Sequence, residues 1–139
     1  LNKVSFSLHT NQSGVWCKYF SLNDVKLCND KMFNLLNLAE SAFQEICIAP
    51  EAPDESIKYR KPSPNFGNQL IKNYNYEAKN IFYIGDTLSD FETSINLGCN
   101  FVGVDTGLVK LSSMPDLDTK NINIKNDFIS AIDYVIKHL

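Results

Sequence analysis

The sequence predicts an α/β fold, a three-layer, doubly wound parallel sheet in the Rossmann-like manner, with no large cap domain. Three observations predict it. Short apolar runs of strand length alternate with amphipathic stretches of helix length along the whole chain. The run Ile81-Phe82-Tyr83-Ile84 is apolar at every position, as in a strand covered on both faces. A chain of 139 residues, 44% hydrophobic and 12% aromatic, suits one buried core, so residues 1–139 are expected to form a single domain.

The elements follow in order. Val4, Phe6 and Leu8 alternate with Ser5, Ser7 and His9, the period of two that marks a strand, here ending at Thr10. Asn11-Gln12-Ser13-Gly14 reads as a loop. Ser21 with Asp24 three residues on is a variant capping box, and Val25, Cys28, Met32, Leu35, Leu36, Ala39 and Phe43 recur at helical spacing, which predicts one long amphipathic helix. Ile46 and Ile48 mark a strand in Gln44 to Ala49. The proline-rich stretch from Pro50 through Pro64 can be neither helix nor central strand throughout and is a long loop.

A helix carrying Phe66, Leu70, Ile71 and Tyr74 precedes the buried strand Ile81–Ile84. The segment Ser89 to Leu97 is a helix closed by Gly98, and Phe101 to Val104 is a second buried strand before the Thr106-Gly107 turn. Asn121 to Ile124 is an edge strand, and Phe128, Ile132, Val135 and Ile136 line one face of a last helix.

Composition excludes several function classes. A net charge of −3 and a pI near 5.3 give no basic field for a polyphosphate backbone, so nucleic acid is not an expected partner, whereas a small phosphorylated metabolite needs only a local cluster of donors. Cys17, Cys28, Cys47 and Cys99 are scattered, without a C-x-x-C pair or a histidine-rich segment, so no zinc site is expected and reduced thiols in a cytoplasmic protein are the simplest reading. No apolar stretch approaches the ~20 residues that cross a bilayer, and the first residues lack a signal-peptide core, so no membrane association is expected.

In doubly wound folds ligands bind at the carboxyl ends of strands. Three polar segments stand at such places: Thr10-Asn11-Gln12-Ser13-Gly14, the loop with Tyr59-Arg60-Lys61-Pro62, and Gly85-Asp86-Thr87-Leu88-Ser89-Asp90. Each also has a bland reading. The first is a turn by composition, the second a solvated basic patch, and the third a helix N-terminus whose acids complement the dipole. Their occurrence in order at strand ends favours chemistry. A Thr10 hydroxyl can donate to phosphate oxygens, Lys61 can neutralise phosphate charge, and Asp86 offers a hard oxygen suited to Mg²⁺.

The segments Leu8-His9-Thr10-Asn11-Gln12-Ser13-Gly14, Arg60-Lys61-Pro62-Ser63-Pro64 and Ile84-Gly85-Asp86-Thr87-Leu88-Ser89-Asp90 are similar to the second, third and fourth motifs of the haloacid dehalogenase hydrolases. The T-N-Q-S-G and R-K-P-x-P forms resemble the subgroup that holds the heptose bisphosphate and histidinol phosphatases. The resemblance implies Thr10 as the phosphate-binding hydroxyl and Lys61 as the cation that partners phosphate and nucleophile. It further implies Asn11, Gln12, Ser13 and Arg60 as substrate contacts, and Asp86 as a Mg²⁺ ligand. Asp90, one helical turn after Asp86, is expected to hold the metal's water shell or brace the loop rather than bind metal directly.

Two departures from the family pattern stand out. Members carry a D-x-D motif after their first strand, one aspartate as nucleophile and the other as general acid and base, and this chain begins after that point with Leu rather than Met. The missing part would be on the order of 30 to 40 residues. Asp105 follows a strand but matches the last sheet strand, so it is not expected to replace the nucleophile. The second departure is the Cys47–Ser56 loop, which has one thiol and no histidine where many relatives bind zinc.

The expected function is therefore a Mg²⁺-dependent phosphatase acting on a small sugar phosphate through an aspartyl-phosphate intermediate, with the chain as printed inactive if its nucleophile is absent. Alternatives are histidinol phosphate as substrate, a polynucleotide 3′-phosphatase, or a phosphate-binding or interaction module without a nucleophile. A homodimer or a complementing strand would cover the sheet edge left by a missing strand.

Overall fold

The computed structural model describes residues 4–52, 54–56, 58–115, 117 and 121–139. The chain divides into two compact units, residues 1–60 and 61–139.

In the first unit, strand β1 (Phe6–Asn11) pairs in parallel with β2 (Phe43–Ala49), setting Leu8 opposite Ile46 and Thr10 opposite Ile48. Parallel neighbours need a crossover, and here it consists of a short helix α1 (Ser13–Trp16) and a longer α2 (Leu22–Leu36). The residues after Thr10 thus differ from the expected loop: the strand continues through Asn11 and α1 begins at Ser13. Helix α2 opens on the expected capping box. The Ser21 N–H donates to Asp24 Oδ2 at 2.7 Å and the Asp24 N–H donates to Ser21 Oγ at 3.2 Å.

Helix α2 does not run on to Phe43. Asn37 adopts the left-handed conformation at φ 52°, and the Leu38 N–H returns to the Phe33 carbonyl, which closes the last turn. Phe43 instead opens β2 and packs its ring against Phe33 with centroids 5.5 Å apart. A helical spacing of apolar residues therefore spans two elements that share one small core. Leu35 and Leu36, counted in the helical stripe, are exposed, while Val25 and Phe33 are buried. No helix or strand occupies the described part of residues 50–64.

In the second unit, β3 (Phe82–Gly85), β4 (Asn100–Val104) and β5 (Asn123–Lys125) form a parallel sheet in that order. Helix α3 (Asn65–Tyr74) precedes β3, α4 (Leu88–Leu97) joins β3 to β4, and α5 (Phe128–Ile136) ends the unit. Alternation along β4 covers both faces of the sheet. Phe101 meets Phe91 of α4 edge-to-face at 5.4 Å, and Val102 and Val104 point the other way into a cluster with Ala131 and Val135 of α5.

This is the α/β class with parallel strands that the buried runs predicted. The face expected on α5 holds at Val135, which is buried, and in part at Ile132, which is half-buried, but Phe128 and Ile136 are exposed and the smaller Ala131, four residues before Val135, takes the other buried position. Gly98 ends α4 at φ 73°, as expected for a left-handed cap. Gly67 of α3 lets Leu97 of α4 pack close, since a Cβ there would lie 2.3 Å from the Leu97 Cδ2.

Candidate functional site

The second unit holds an ion-paired cluster after β3. Its centre is Asp90, 3% exposed, in the first turn of α4. One carboxylate oxygen, Oδ1, accepts from Lys61 Nζ at 2.6 Å. The other, Oδ2, accepts from the Thr87 hydroxyl at 2.6 Å, the Thr87 N–H at 3.0 Å and the Asp86 N–H at 3.2 Å. A buried carboxylate is tolerated only when it is paired and its lone pairs are filled, and Asp90 meets both conditions. Its carboxylate is committed to holding Lys61 and the Asp86-Thr87 backbone.

Gly85 is what allows this. A Cβ at residue 85 would lie 2.3 Å from the Asp90 Cβ and 2.4 Å from its Cγ. In Gly85-Asp86-Thr87-Leu88-Ser89-Asp90, the glycine therefore makes room for the second aspartate, and the second aspartate fixes the backbone of the first. Thr87 completes a capping box, its Oγ1 accepting the Asp90 N–H at 3.3 Å.

Asp86 itself is half-buried, and its carboxylate makes no hydrogen bond among the described residues. It borders Gly107 in the turn after β4. A Cβ at residue 107 would lie 2.9 Å from both the backbone oxygen and Oδ2 of Asp86. The bare glycine keeps that flank open, with two hard oxygens facing it. Among the described residues no group of three His, Cys, Asp or Glu side chains is gathered to hold a metal. One carboxylate completed by phosphate oxygens and water is a donor set that Mg²⁺ accepts.

Lys61 is anchored on Asp90 with 13% of its side chain exposed, and the Lys61–Pro62 peptide is cis. The Asn96 side chain of α4 donates to the Pro62 carbonyl at 2.9 Å, so α4 holds this segment at two points. Asp105 is engaged elsewhere. Its carboxylate accepts from the Ser112 hydroxyl and from the Ser112 N–H, bonds that hold its carboxyl below the usual range.

The first unit holds the other expected residues. Thr10, Asn11, Gln12 and Ser13 follow one another at the carboxyl end of β1 and the start of α1, all half-buried. Thr10 Oγ1 accepts from the Gln12 side chain at 3.0 Å, a bond that leaves the Thr10 hydroxyl proton to donate. The Gln12 N–H is bound to the Ala49 carbonyl at 2.7 Å, which ties the loop to the end of β2. Gly14 lies under the Phe20 ring, where a Cβ would come within 2.2 Å of a ring carbon. Arg60 is half-buried with its Nε enclosed.

Two residues of this unit, His9 and Glu51, were given no role by the sequence. Ser13 Oγ donates to the Glu51 carbonyl at 2.7 Å, the Tyr59 N–H donates to Glu51 Oε1 at 2.9 Å, and His9 Nε2 donates to the Tyr59 carbonyl at 2.8 Å. Because a carbonyl can only accept, His9 carries its proton on Nε2 here. Burial pushes the Glu51 carboxyl up, but the backbone N–H groups led by Tyr59, with its own and those of Lys58 and Arg60, hold it below its ordinary value. His9 reads as an outward polar residue in an alternating strand, and Glu51 as one acid among several in a loop. The only available signal was that both stand beside strand ends.

A profile of the haloacid dehalogenase-like hydrolase family matches residues 30–104. The chain belongs to that family. It is 29% identical over 98 residues to the D-glycero-beta-D-manno-heptose-1,7-bisphosphate 7-phosphatase of Pseudomonas aeruginosa, a match covering 70% of this chain and 55% of that protein. It is 31% identical over 93 residues to the histidine biosynthesis bifunctional protein HisB of Campylobacter jejuni, covering 67% of this chain and 26% of that one. The chain thus spans about half the length of the first relative and about a quarter of the second. In fold it is similar to the crystal structure of D,D-heptose 1,7-bisphosphate phosphatase from B. bronchiseptica complexed with magnesium and phosphate. The TM-score is 0.82 at 23% identity, covering 97% of this chain and 75% of that one. Among the described residues no helix is long and apolar enough to cross a membrane.

Proposed function

We propose that this chain is the larger part of a single phosphatase domain that hydrolyses a phosphomonoester of a small sugar phosphate of the heptose bisphosphate kind. The observation that carries the reading is the Asp90 cluster. A buried carboxylate fixes both a cation and the backbone of a neighbouring aspartate whose own carboxylate makes no hydrogen bond among the described residues. Such an arrangement suits phosphoryl transfer, where catalysis consists mainly of positioning and charge stabilisation.

In this reading Lys61 offsets charge on the transferring phosphoryl group, and Asp90 keeps Lys61 aimed. Thr10 donates its hydroxyl proton to a phosphate oxygen, with Gln12 and Ser13 holding the loop and Asn11 and Arg60 contacting substrate. Asp86 would hold Mg²⁺, which would supply Lewis-acid charge for the phosphate oxygens. In the family pattern this chain resembles, the nucleophile is an aspartate of a D-x-D motif. Its carboxylate oxygen bonds to phosphorus as the ester P–O bond breaks, and the leaving alkoxide takes a proton from the second aspartate. Water, deprotonated by that same residue, then cleaves the acyl phosphate.

The test is phosphate release by the full-length protein from heptose 1,7-bisphosphate and from histidinol phosphate, with Mg²⁺ or with chelator. The HisB match is the reason for including the second substrate. The expected result is metal-dependent turnover of the sugar phosphate that falls by at least about 100-fold in Asp86→Ala and Lys61→Ala. Turnover indifferent to chelator and to Asp86→Ala overturns the reading, and preference for histidinol phosphate reassigns the substrate.

A further inference from the structure

The Tyr59 peptide groups are held from both sides. Its N–H donates to the Glu51 carboxylate at 2.9 Å and its carbonyl accepts from His9 Nε2 at 2.8 Å. The two anchors belong to the framework of the first unit: His9 lies in β1, and Glu51 follows the end of β2 with its carbonyl bound by Ser13 at 2.7 Å. The described part of residues 50–60 has no helix or strand to order it, so these side chain–backbone bonds take the place of a ladder. The next residue is Arg60. With the N–H and C=O of residue 59 both fixed, the direction in which the chain enters Arg60 is fixed too.

We infer that Glu51 is a positioning residue: with His9 it clamps the Tyr59 peptide groups and thereby sets the placement of the Arg60 guanidinium, making Arg60 a reader of the substrate body rather than a mobile surface cation. The inference rests on the proposed phosphatase reading for its ligand, and on the hydrogen bonds alone for the clamp. Glu51 touches no substrate in this account. Its effect passes through the backbone, so it acts on recognition and leaves the bond-breaking step alone. Ser13 joins the same network, so the loop that carries Thr10 and the segment that carries Arg60 are registered to one another through Glu51.

The test uses the full-length protein with Glu51→Ala, Glu51→Gln and Arg60→Ala. Amide hydrogen exchange at Tyr59 reads the clamp directly, and steady-state kinetics on heptose 1,7-bisphosphate read its consequence. In Glu51→Ala, Tyr59 exchange should rise at least about tenfold, and KM should rise on the order of tenfold with kcat changed less than about twofold. Glu51→Gln keeps one carbonyl acceptor and should restore most of both. In the Arg60→Ala background, Glu51→Ala should add little to KM. Should Glu51→Ala fail to fold, His9→Ala removes the other anchor and is read the same way.

Unchanged Tyr59 exchange, or lost protection with KM unaltered, overturns the inference. A wild-type protein that neither binds nor hydrolyses the sugar phosphate, yet loses Tyr59 protection in Glu51→Ala, overturns the phosphatase reading and with it the role of Arg60, and leaves only the clamp.

Discussion

Replacing Asp90 by Asn changes almost no volume and removes one charge, so its cost measures how much of the second unit depends on that charge. Asp90 is 3% exposed and its partner Lys61 13% exposed in the side chain, which makes this a nearly desolvated pair. Removing one member of such a pair costs about 3–5 kcal/mol, because the remaining charge stays buried without compensation. The small residual exposure of Lys61 argues for the lower end. An asparagine also cannot satisfy every partner. One oxygen must serve either the Lys61 ammonium or the three donors of Asp86 and Thr87, and the amide nitrogen then faces donors. We expect Asp90→Asn to lower the unfolding free energy by about 3 kcal/mol and Lys61→Met by about 2–3 kcal/mol. The double variant should cost about 2 kcal/mol less than the sum of the two. Urea denaturation followed by far-UV circular dichroism measures all three. A loss below about 1 kcal/mol in Asp90→Asn, or additivity within about 0.5 kcal/mol, would refute the reasoning.

Other outcomes follow from neighbouring features. Gly85→Ala drives a methyl group to 2.3 Å from the Asp90 Cβ and should destabilise by about 1–3 kcal/mol in the same denaturation assay. The Glu51 carboxyl is held below its ordinary value, so its contribution is present above its unfolded pKa of about 4.3 and is lost as pH falls through the lower folded value. The melting temperatures of wild type and Glu51→Gln should therefore differ at neutral pH and converge in acid. Burial pushes the Cys99 thiol up to about 11, so it stays protonated at neutral pH. Iodoacetamide should label the exposed Cys17 and Cys28 well before Cys99, and denaturant should abolish the difference.

How much of this was legible in the sequence depended on whether the signal was local. The strands β1 to β5 were readable because apolar runs and turn residues lie within a few positions of one another, and Ser21 with Asp24 announced the start of α2 from four residues. The end of α2 was not readable. Phe43 continues the helical spacing but belongs to a strand, and only the left-handed turn at Asn37 separates the two. On α5, Phe128 and Ile136 have the hydrophobicity of core residues and the exposure of surface ones, because the core selected the stripe through the smaller Ala131. At the candidate site the residue types of Thr10, Lys61 and Asp86 were visible as motifs. The pairing of Lys61 with Asp90 spans 29 positions and that of His9 with Tyr59 spans 50, and no period or composition records such distances.

The grip on Tyr59 has a consequence for how this protein tolerates change. Its two anchoring bonds are made by the main chain of residue 59, so the clamp places no demand on the side chain there and drift at this position should leave it intact. Proline is the exception, since it has no N–H to give to Glu51. A saturation library at residue 59 should therefore lose proline first, whereas at residues 9 and 51, where side chains form the bonds, few substitutions should survive. A position can thus be fixed in space while remaining nearly silent in sequence.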